Sequence, residues 1–200
     1  MKAIPNEQPI LFSSAMVRAI LRGRKNQTRR VVKPQPIQRM GVWGGPYLAS
    51  ADGKQQNCPY GVPGNRLWVK ERWRWVDMDG GDHVALEFMS DLLHDPIHWV
   101  ACPDGWPRAH AEQLDKWRPS IYMPRWASRI TLEVTEVRVQ RLQDISEEDA
   151  QAEGVETDGV CKSWIRPFSL LWNSINAKRG FGWDKNPWVF AISFVCLDNS

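Results

Sequence analysis

The chain lacks the cysteine pattern of a disulfide framework or of a zinc ribbon. Its four cysteines, Cys58, Cys102, Cys161 and Cys196, lie far apart and form no CxxC pair, so we expect reduced thiols. It also contains no run of about 18 apolar residues, the length that a membrane-spanning helix needs. The first residues, MKAIPNEQPILF, lack the basic, apolar and small-residue segments of a secretory signal. We therefore predict a cytoplasmic protein with no membrane partner.

Two common chemistries also lack their sequence signatures. No GxSxG stretch is present, so the nucleophile turn of a serine hydrolase is missing. His94 and His98 have the spacing of two metal ligands on a helix, but Pro96 between them argues against a regular helix. We predict neither a metal ion nor another cofactor.

The basic residues are unevenly distributed, although the formal net charge is only +3. Seven of them fall within a stretch that contains no acidic residue: Arg18, Arg22, Arg24, Lys25, Arg29, Arg30 and Lys33. Such a patch is suited to phosphate or another polyanion. A solvated helix end followed by a loop would give the same pattern.

The predicted helices are short. Ser13 or Ser14 can cap a helix that ends before Gly23, because the apolar residues between them follow helical spacing. Ser146 can cap a second helix with acidic residues in its first turn, and Gly154 ends it. A third helix is predicted over residues 167–178, where an apolar stripe favours simple core packing.

Strands are predicted around these helices. Residues 130–139 alternate apolar and polar side chains with one slip, which indicates a β-bulge, and residues 188–197 are apolar on both faces, which is typical of a buried central strand. We expect these two strands to be neighbours. Two excursions, at about 31–57 and 77–118, are rich in turn residues and show no period. The 200 residues are long enough for one core, so we predict a single α+β domain over 1–200: a small mixed β-barrel with short flanking helices and two long irregular insertions.

The segment that follows the first helix resembles a known signature. Gly23-Arg24-Lys25-x-x-Thr28-x-Arg30 resembles the GxKxxTxR motif of ASCH domains in the PUA-like superfamily, and especially that of the small bacterial N(4)-acetylcytidine amidohydrolases. The likeness continues with the PGNRL turn at 63–67, with the strand and acidic helix over 130–154, and with the closing strand. The whole chain looks closer to longer phage or prophage ASCH proteins. The resemblance implies a PUA-like fold.

The resemblance also implies a set of catalytic residues. The lysine, threonine and glutamate of the amidohydrolases fall here on Lys25, Thr28 and Glu153. A threonine hydroxyl needs a base before it becomes a nucleophile, and a lysine serves as a base only if burial or a nearby cation lowers its pKa. Glu153 lies in the last turn of its helix and is suited to stabilising or relaying protons. A solvated glutamate would show the same sequence pattern.

Basic and aromatic residues near these positions are candidate ligand contacts. Arg24, Arg29 and Arg30 can hold the substrate or supply the cation that the lysine needs. The chain has twelve tryptophans, and those near the strands that resemble ASCH domains are the candidates for base stacking: Trp68, Trp73, Trp75 and Trp126. Core packing is the alternative for each of them.

Three functions are compatible with this reading. The first is an amidohydrolase acting on an acylated pyrimidine nucleoside such as N(4)-acetylcytidine. The second is a module that binds RNA without chemistry, as PUA-like domains do. The third is an RNA-cleaving ASCH domain that directs its lysine and arginines at a phosphate. Retention of all three amidohydrolase positions favours the first, and the large insertions favour the others. The predicted partner is RNA or a modified nucleoside.

Overall fold

The computed structural model describes residues 6–40, 46–49, 57–78, 83–91, 97–103, 106, 112, 114–157 and 163–197. Three α-helices occur in this part of the chain: α1 (Ser14–Leu21), α2 (Glu147–Ala152) and α3 (Ile165–Asn176). Ten strands accompany them: β1 (Glu7–Leu11), β2 (Gln27–Val31), β3 (Ile37–Met40), β4 (Pro46–Ala49), β5 (Arg66–Lys70), β6 (Trp73–Met78), β7 (His83–Phe88), β8 (His98–Ala101), β9 (Thr131–Arg141) and β10 (Trp188–Leu197).

The largest sheet is five-stranded and mixed, in the order β1-β5-β9-β10-β2. β1 runs parallel to β5, and the other neighbours are antiparallel. The predicted pairing of β9 with β10 is confirmed, and β10 lies inside the sheet as its two apolar faces indicated. The predicted bulge is confirmed too: Ser193 pairs with Glu136 and Phe194 with Val134, which leaves Thr135 as the extra residue.

The α+β class with a mixed sheet is therefore confirmed. Within the described residues the hydrogen-bonded order is open, with β1 and β2 at its two edges. A side chain links these edges, because Arg30 Nη2 of β2 donates to the Leu11 carbonyl oxygen of β1 at 2.7 Å. The two edge strands thus approach each other without forming a backbone ladder.

The two excursions differ from the prediction, because both contain strands. β3 and β4 pair in the first, and β6, β7 and β8 form a three-stranded antiparallel sheet that extends into the second. A register shift between Trp75 and Asp77 interrupts β6. Strands this short, separated by turn residues and broken by a bulge, leave little periodicity in the sequence, which is why the pattern predicted irregular structure.

Three apolar clusters hold the elements together. The first packs Val17 and Ile20 of α1 against the five-stranded sheet. The second lies on the three-stranded sheet around Trp73 and Trp75. The third packs α2 and α3 against β10, with Ala150, Phe168 and Val189 among its buried members. None of the described helices is long and apolar enough to cross a membrane.

The predicted helix starts are confirmed. The Ser13 hydroxyl accepts from the Met16 N–H at the start of α1, and the Ser146 hydroxyl accepts from the Asp149 N–H at the start of α2. These caps fix where each short helix begins. Gly23 and Gly154, both with a positive φ, follow the C-terminal ends of α1 and α2, and both ends lead into the candidate site.

Candidate functional site

The site forms where the chain leaves α1 and α2. Lys25 and Glu153 pair as an isolated antiparallel bridge, and the Asn26 N–H donates to the Ala152 carbonyl at 3.0 Å. Gly154 follows with a φ of +75°, a left-handed conformation that favours glycine. A Cβ atom on Gly154 would lie 2.7 Å from the Lys25 Cβ. The glycine therefore permits both the turn after α2 and the close approach of the two segments.

The Lys25 ammonium is enclosed by oxygen atoms. Its Nζ donates to the Glu153 Oε2, the Glu153 carbonyl and the Gln27 carbonyl, each at 2.8 Å. These three bonds account for all of its donors. Burial lowers the pKa of Lys25 from its ordinary value, the Glu153 carboxylate opposes this, and the positive charges of Arg30 and Arg29 add to the lowering. The sequence-based expectation of a lysine with a lowered pKa is consistent with this environment.

Glu153 is held by two cations. Its Oε2 accepts from Lys25, and its Oε1 accepts from Arg29 Nη1 at 3.1 Å. The side chains of Lys25 and Arg29 are 0% exposed, and that of Glu153 is 5% exposed. Two charge-assisted hydrogen bonds from buried cations fix the position of the Glu153 carboxylate at the edge of the cluster.

A second carboxylate supports this cluster from α2. Asp149 accepts from Arg29 Nη2 at 2.7 Å, from Gln27 Nε2 at 3.0 Å and from Arg138 Nη2 at 3.0 Å. Partial burial would raise the pKa of Asp149, but the hydrogen bonds from Gln27 and Arg138 and the charges of Arg29 and Arg138 lower it below its ordinary value. Asp149 thus fixes the orientation of Arg29, which in turn holds Glu153.

A cavity of about 430 Å³ opens beside this cluster, within the size range of small-molecule sites. Thr28 and Glu153 both line it. The Thr28 side chain makes no hydrogen bond to another described residue, so its hydroxyl is uncommitted. Lys25 does not belong to the lining. The structure therefore brings the three predicted catalytic residues together but leaves Lys25 behind Glu153.

The cavity has an aromatic side that the sequence analysis assigned only to the core. Phe168 and Trp172 of α3 line it, together with Phe181, Phe190 and Tyr60. The apolar stripe of α3 thus faces both the core and the cavity. Proximity in sequence gives no signal for four of these residues, since all but Tyr60 lie more than a hundred positions from Thr28. The supporting pair Gln27 and Asp149 was also missed, because Asp149 has the sequence pattern of a helix-capping acid.

The predicted arginine contacts have three different positions. Arg30 lines the cavity and stacks over the ring of Phe12 at 5.1 Å. Arg29 also borders it, but its terminal nitrogens are engaged with Gln27, Asp149 and Glu153. Arg24 lies outside this cavity, and its side chain, 41% exposed, pairs with Glu156.

The predicted stacking tryptophans do not line this cavity. Trp73 and Trp75 are fully buried in the second apolar cluster, where their rings pack against Trp106. In this conformation both are core residues rather than stacking surfaces. Trp126 is partly buried in the same cluster, and Trp68 lies under the Lys70 ammonium at 5.2 Å. A ligand contact for these last two remains a prediction.

Only one of the two histidines considered as metal ligands lies within the described residues. His94 lies outside the described residues, and His98 Nε2 lies 2.9 Å from Arg129 Nη1. Within the described part of the chain, no group of three histidine, cysteine, aspartate or glutamate side chains is placed to hold a metal ion.

Comparisons with known proteins yield structural similarity only. No protein-family model matches the sequence, and no curated protein matches it. The fold is similar to that of a DUF984 family protein from Enterococcus faecalis V583, with a TM-score of 0.43 and 11% identity, covering 99% of this chain and 83% of that one. It is also similar to an ASCH domain from Lactobacillus crispatus JV V101, with a TM-score of 0.42 and 14% identity, covering 96% of this chain and 79% of that one. Similarity at this level assigns neither a substrate nor an activity.

Proposed function

We propose that the cavity holds a pyrimidine nucleoside, free or within RNA, and that the chain hydrolyses an acyl amide on its base, as in N(4)-acetylcytidine. The observation that carries this proposal is the cavity that Thr28 and Glu153 share with the aromatic side chains of Phe168 and Trp172. Aromatic rings pack against flat bases, and a hydroxyl beside a carboxylate combines a nucleophile with a proton acceptor. The ASCH-like motif at residues 23–30 supports the same substrate class.

The proposed reaction uses Thr28 and Glu153, which both line the cavity. Thr28 Oγ1 attacks the acyl carbonyl carbon while its proton passes to the Glu153 carboxylate. The bond from that carbon to the exocyclic nitrogen then breaks, and the nitrogen takes the proton from Glu153, which releases cytidine. Water attacks the resulting threonine ester and gives its proton to Glu153. The ester bond to the Thr28 oxygen then breaks, that oxygen regains the proton, and acetic acid leaves and ionises to acetate in solution.

In this proposal Lys25 is a positioning residue, which differs from the sequence-based expectation of a base. Its three donors are all engaged inside the protein, and it is separated from the cavity by Glu153. Its hydrogen bond to Glu153, with that of Arg29, fixes the orientation of the carboxylate. A fixed carboxylate needs little reorganisation when the proton is transferred.

The test is acetate release from N(4)-acetylcytidine by the purified chain and its variants. Thr28→Val preserves the shape of the side chain and removes the hydroxyl, so we expect no measurable release. Thr28→Ser restores a hydroxyl and should recover part of the rate. Glu156→Gln is the matched control, because this exposed glutamate follows α2, as Glu153 does, but lies outside the 430 Å³ cavity. Folded Thr28→Val protein with wild-type turnover would contradict the role of Thr28.

RNA binding without chemistry is the second candidate, and the enclosed position of Lys25 is the observation that favours it. A lysine with all of its donors engaged is typical of a structural ion pair. Under this alternative, the folded chain binds single-stranded RNA and releases no acetate from any acylated nucleoside. Its affinity should fall as salt rises, with a slope of about 0.7 per phosphate contact.

A further inference from the structure

The cationic side chains that line the cavity outnumber the carboxylates that pair with them. Among the described residues, four cationic side chains line it, Arg29, Arg30, Lys33 and Arg179, against the single carboxylate of Glu153. That carboxylate already accepts from Lys25 and Arg29. The remaining three cations make no ion pair with a carboxylate anywhere in the described part of the chain. The described lining of the cavity therefore has an excess of positive charge.

The three cations come from separate elements and meet at this cavity. Arg30 belongs to β2, Lys33 follows that strand, and Arg179 follows α3. Lys33 and Arg179 are exposed, whereas Arg30 is partly buried between the rings of Phe12 and Tyr60. Solvated cations from separate elements have no physical reason to meet at one cavity. Like charges that face each other across a cavity repel, and an anion bound between them offsets this repulsion.

Arg30 shows the imbalance most clearly. Its Nη2 donates to the Leu11 carbonyl, but its Nε is buried and has no hydrogen-bond partner among the described residues. Burial lowers the pKa of the Arg30 guanidinium, and the charge of Arg179 adds to that effect. A buried donor without a partner is costly and is often explained by a bound group.

We infer that the ligand of this cavity carries a phosphate, held by Arg30, Lys33 and Arg179, so that the substrate is a nucleotide unit rather than a free nucleoside. This inference rests on the proposed function for the base end of the ligand. Arginine and lysine are the side chains that hold phosphate oxygens most effectively. Arg179, far from the basic stretch at residues 18–33, is the member that the sequence analysis did not find. The phosphate belongs either to a free nucleotide or to an RNA chain.

Calorimetric titration with four probes tests the inference. Cytidine, cytidine 5′-monophosphate, ribose 5-phosphate and a short oligocytidylate are titrated into the wild-type chain. We expect the monophosphate to bind about tenfold tighter than cytidine or more, the effect of at least one charge-assisted hydrogen bond. Tighter binding of the oligocytidylate than of the monophosphate would identify RNA as the source of the phosphate, and the reverse order would identify a free nucleotide.

Arg179→Gln is the informative variant, because Arg179 is exposed and its replacement should leave the fold intact. It should remove most of the preference for the monophosphate and leave cytidine binding within about twofold of wild type, a change below ~0.5 kcal/mol. Lys178→Gln is the matched control, since Lys178 precedes it in the same turn, is exposed and does not line the cavity.

The outcomes separate the two proposals. Equal binding of cytidine and its monophosphate overturns the phosphate inference and leaves the nucleoside site standing. Equal binding of ribose 5-phosphate and the monophosphate supports the phosphate site and overturns the nucleoside proposal. If no probe binds, both are overturned. A monophosphate preference that Arg179→Gln leaves unchanged also overturns the assignment of the phosphate to these cations.

Discussion

Two clusters of buried charge in the described part of the chain differ in what they border. In one, Glu153 accepts from Lys25 at 2.8 Å beside the 430 Å³ cavity. In the other, Glu71 accepts from Arg129 Nε at 3.1 Å and from the Ser90 hydroxyl at 2.6 Å. Both carboxylates are more than nine-tenths buried, and both are satisfied by cations. Burial and pairing therefore do not distinguish them.

The difference lies in the surroundings of each carboxylate. Arg129 stacks on the ring of Phe88 at 4.2 Å, and the Glu71 backbone N–H contacts the Met123 sulfur. Neither Glu71 nor Arg129 lines the 430 Å³ cavity. This second cluster lies where β5 and β7 end and β9 begins, and it has the properties of a structural ion pair. A buried acid supports chemistry only where it also borders open space and an uncommitted hydroxyl, as Glu153 does with Thr28.

The largest effects are expected at the two buried carboxylates: on the catalytic rate at Glu153 and on stability at Glu71. Glu153→Gln should reduce acetate release by about 10²–10⁴, the range for general acid–base groups. Glu71→Ala should instead lower the free energy of unfolding by about 3–5 kcal/mol, because it removes the buried carboxylate from its ion pair with Arg129. Urea denaturation and initial rates measure the two quantities. If Glu153→Gln changed only stability, the two clusters would be equivalent and the proposed chemistry would lose its main support.

The sequence predicted the elements of the fold better than the composition of the site. Strong periodicity, helix caps and a phase slip are local signals, and they correctly placed α1, α2, the β9–β10 pair and the bulge at Thr135. The strands of the excursions are short and lack such signals. The cavity joins residues from distant elements, so Thr28 and Glu153 came from a motif resemblance, whereas Trp172 and Arg179 required the structure.

The next effect concerns how closely α2 approaches Lys25. Gly154→Ala places a methyl group 2.7 Å from the Lys25 Cβ and forces alanine to a φ of +75°. We expect a loss of about 1–3 kcal/mol in the free energy of unfolding, typical of an overfilled site. Turnover should fall as well, because the Lys25–Glu153 pair must shift. Gly180→Ala is the control, since Gly180 also has a positive φ but no atom near its added Cβ.

A smaller effect should appear in the pH dependence of stability. The pKa of Asp149 is lowered in the folded state, so its contribution to stability is present above its ordinary value of 3.8 and is lost as the pH falls through the folded value. Asp149→Asn should therefore lower the melting temperature clearly at pH 6 and much less at pH 3. Asp184→Asn, at an exposed site, is the control. A difference that stayed constant between the two pH values would show that Asp149 does not act through its charge.

The smallest effect is expected at Arg24, a predicted ligand contact that does not line the cavity. Arg24 pairs with Glu156 at 2.9 Å, but both side chains are exposed, and exposed pairs contribute about 0–1 kcal/mol. Arg24→Ala should therefore change the free energy of unfolding by less than about 1 kcal/mol. It should also leave the affinity for cytidine 5′-monophosphate unchanged, because Arg24 does not line the cavity.

The comparison with Arg30→Ala is the informative one, since both residues belong to the same basic stretch and only Arg30 lines the cavity. Equal losses of oligocytidylate affinity in the two variants would mean that the ligand extends along the outer surface of α1, and that the basic stretch acts as a whole.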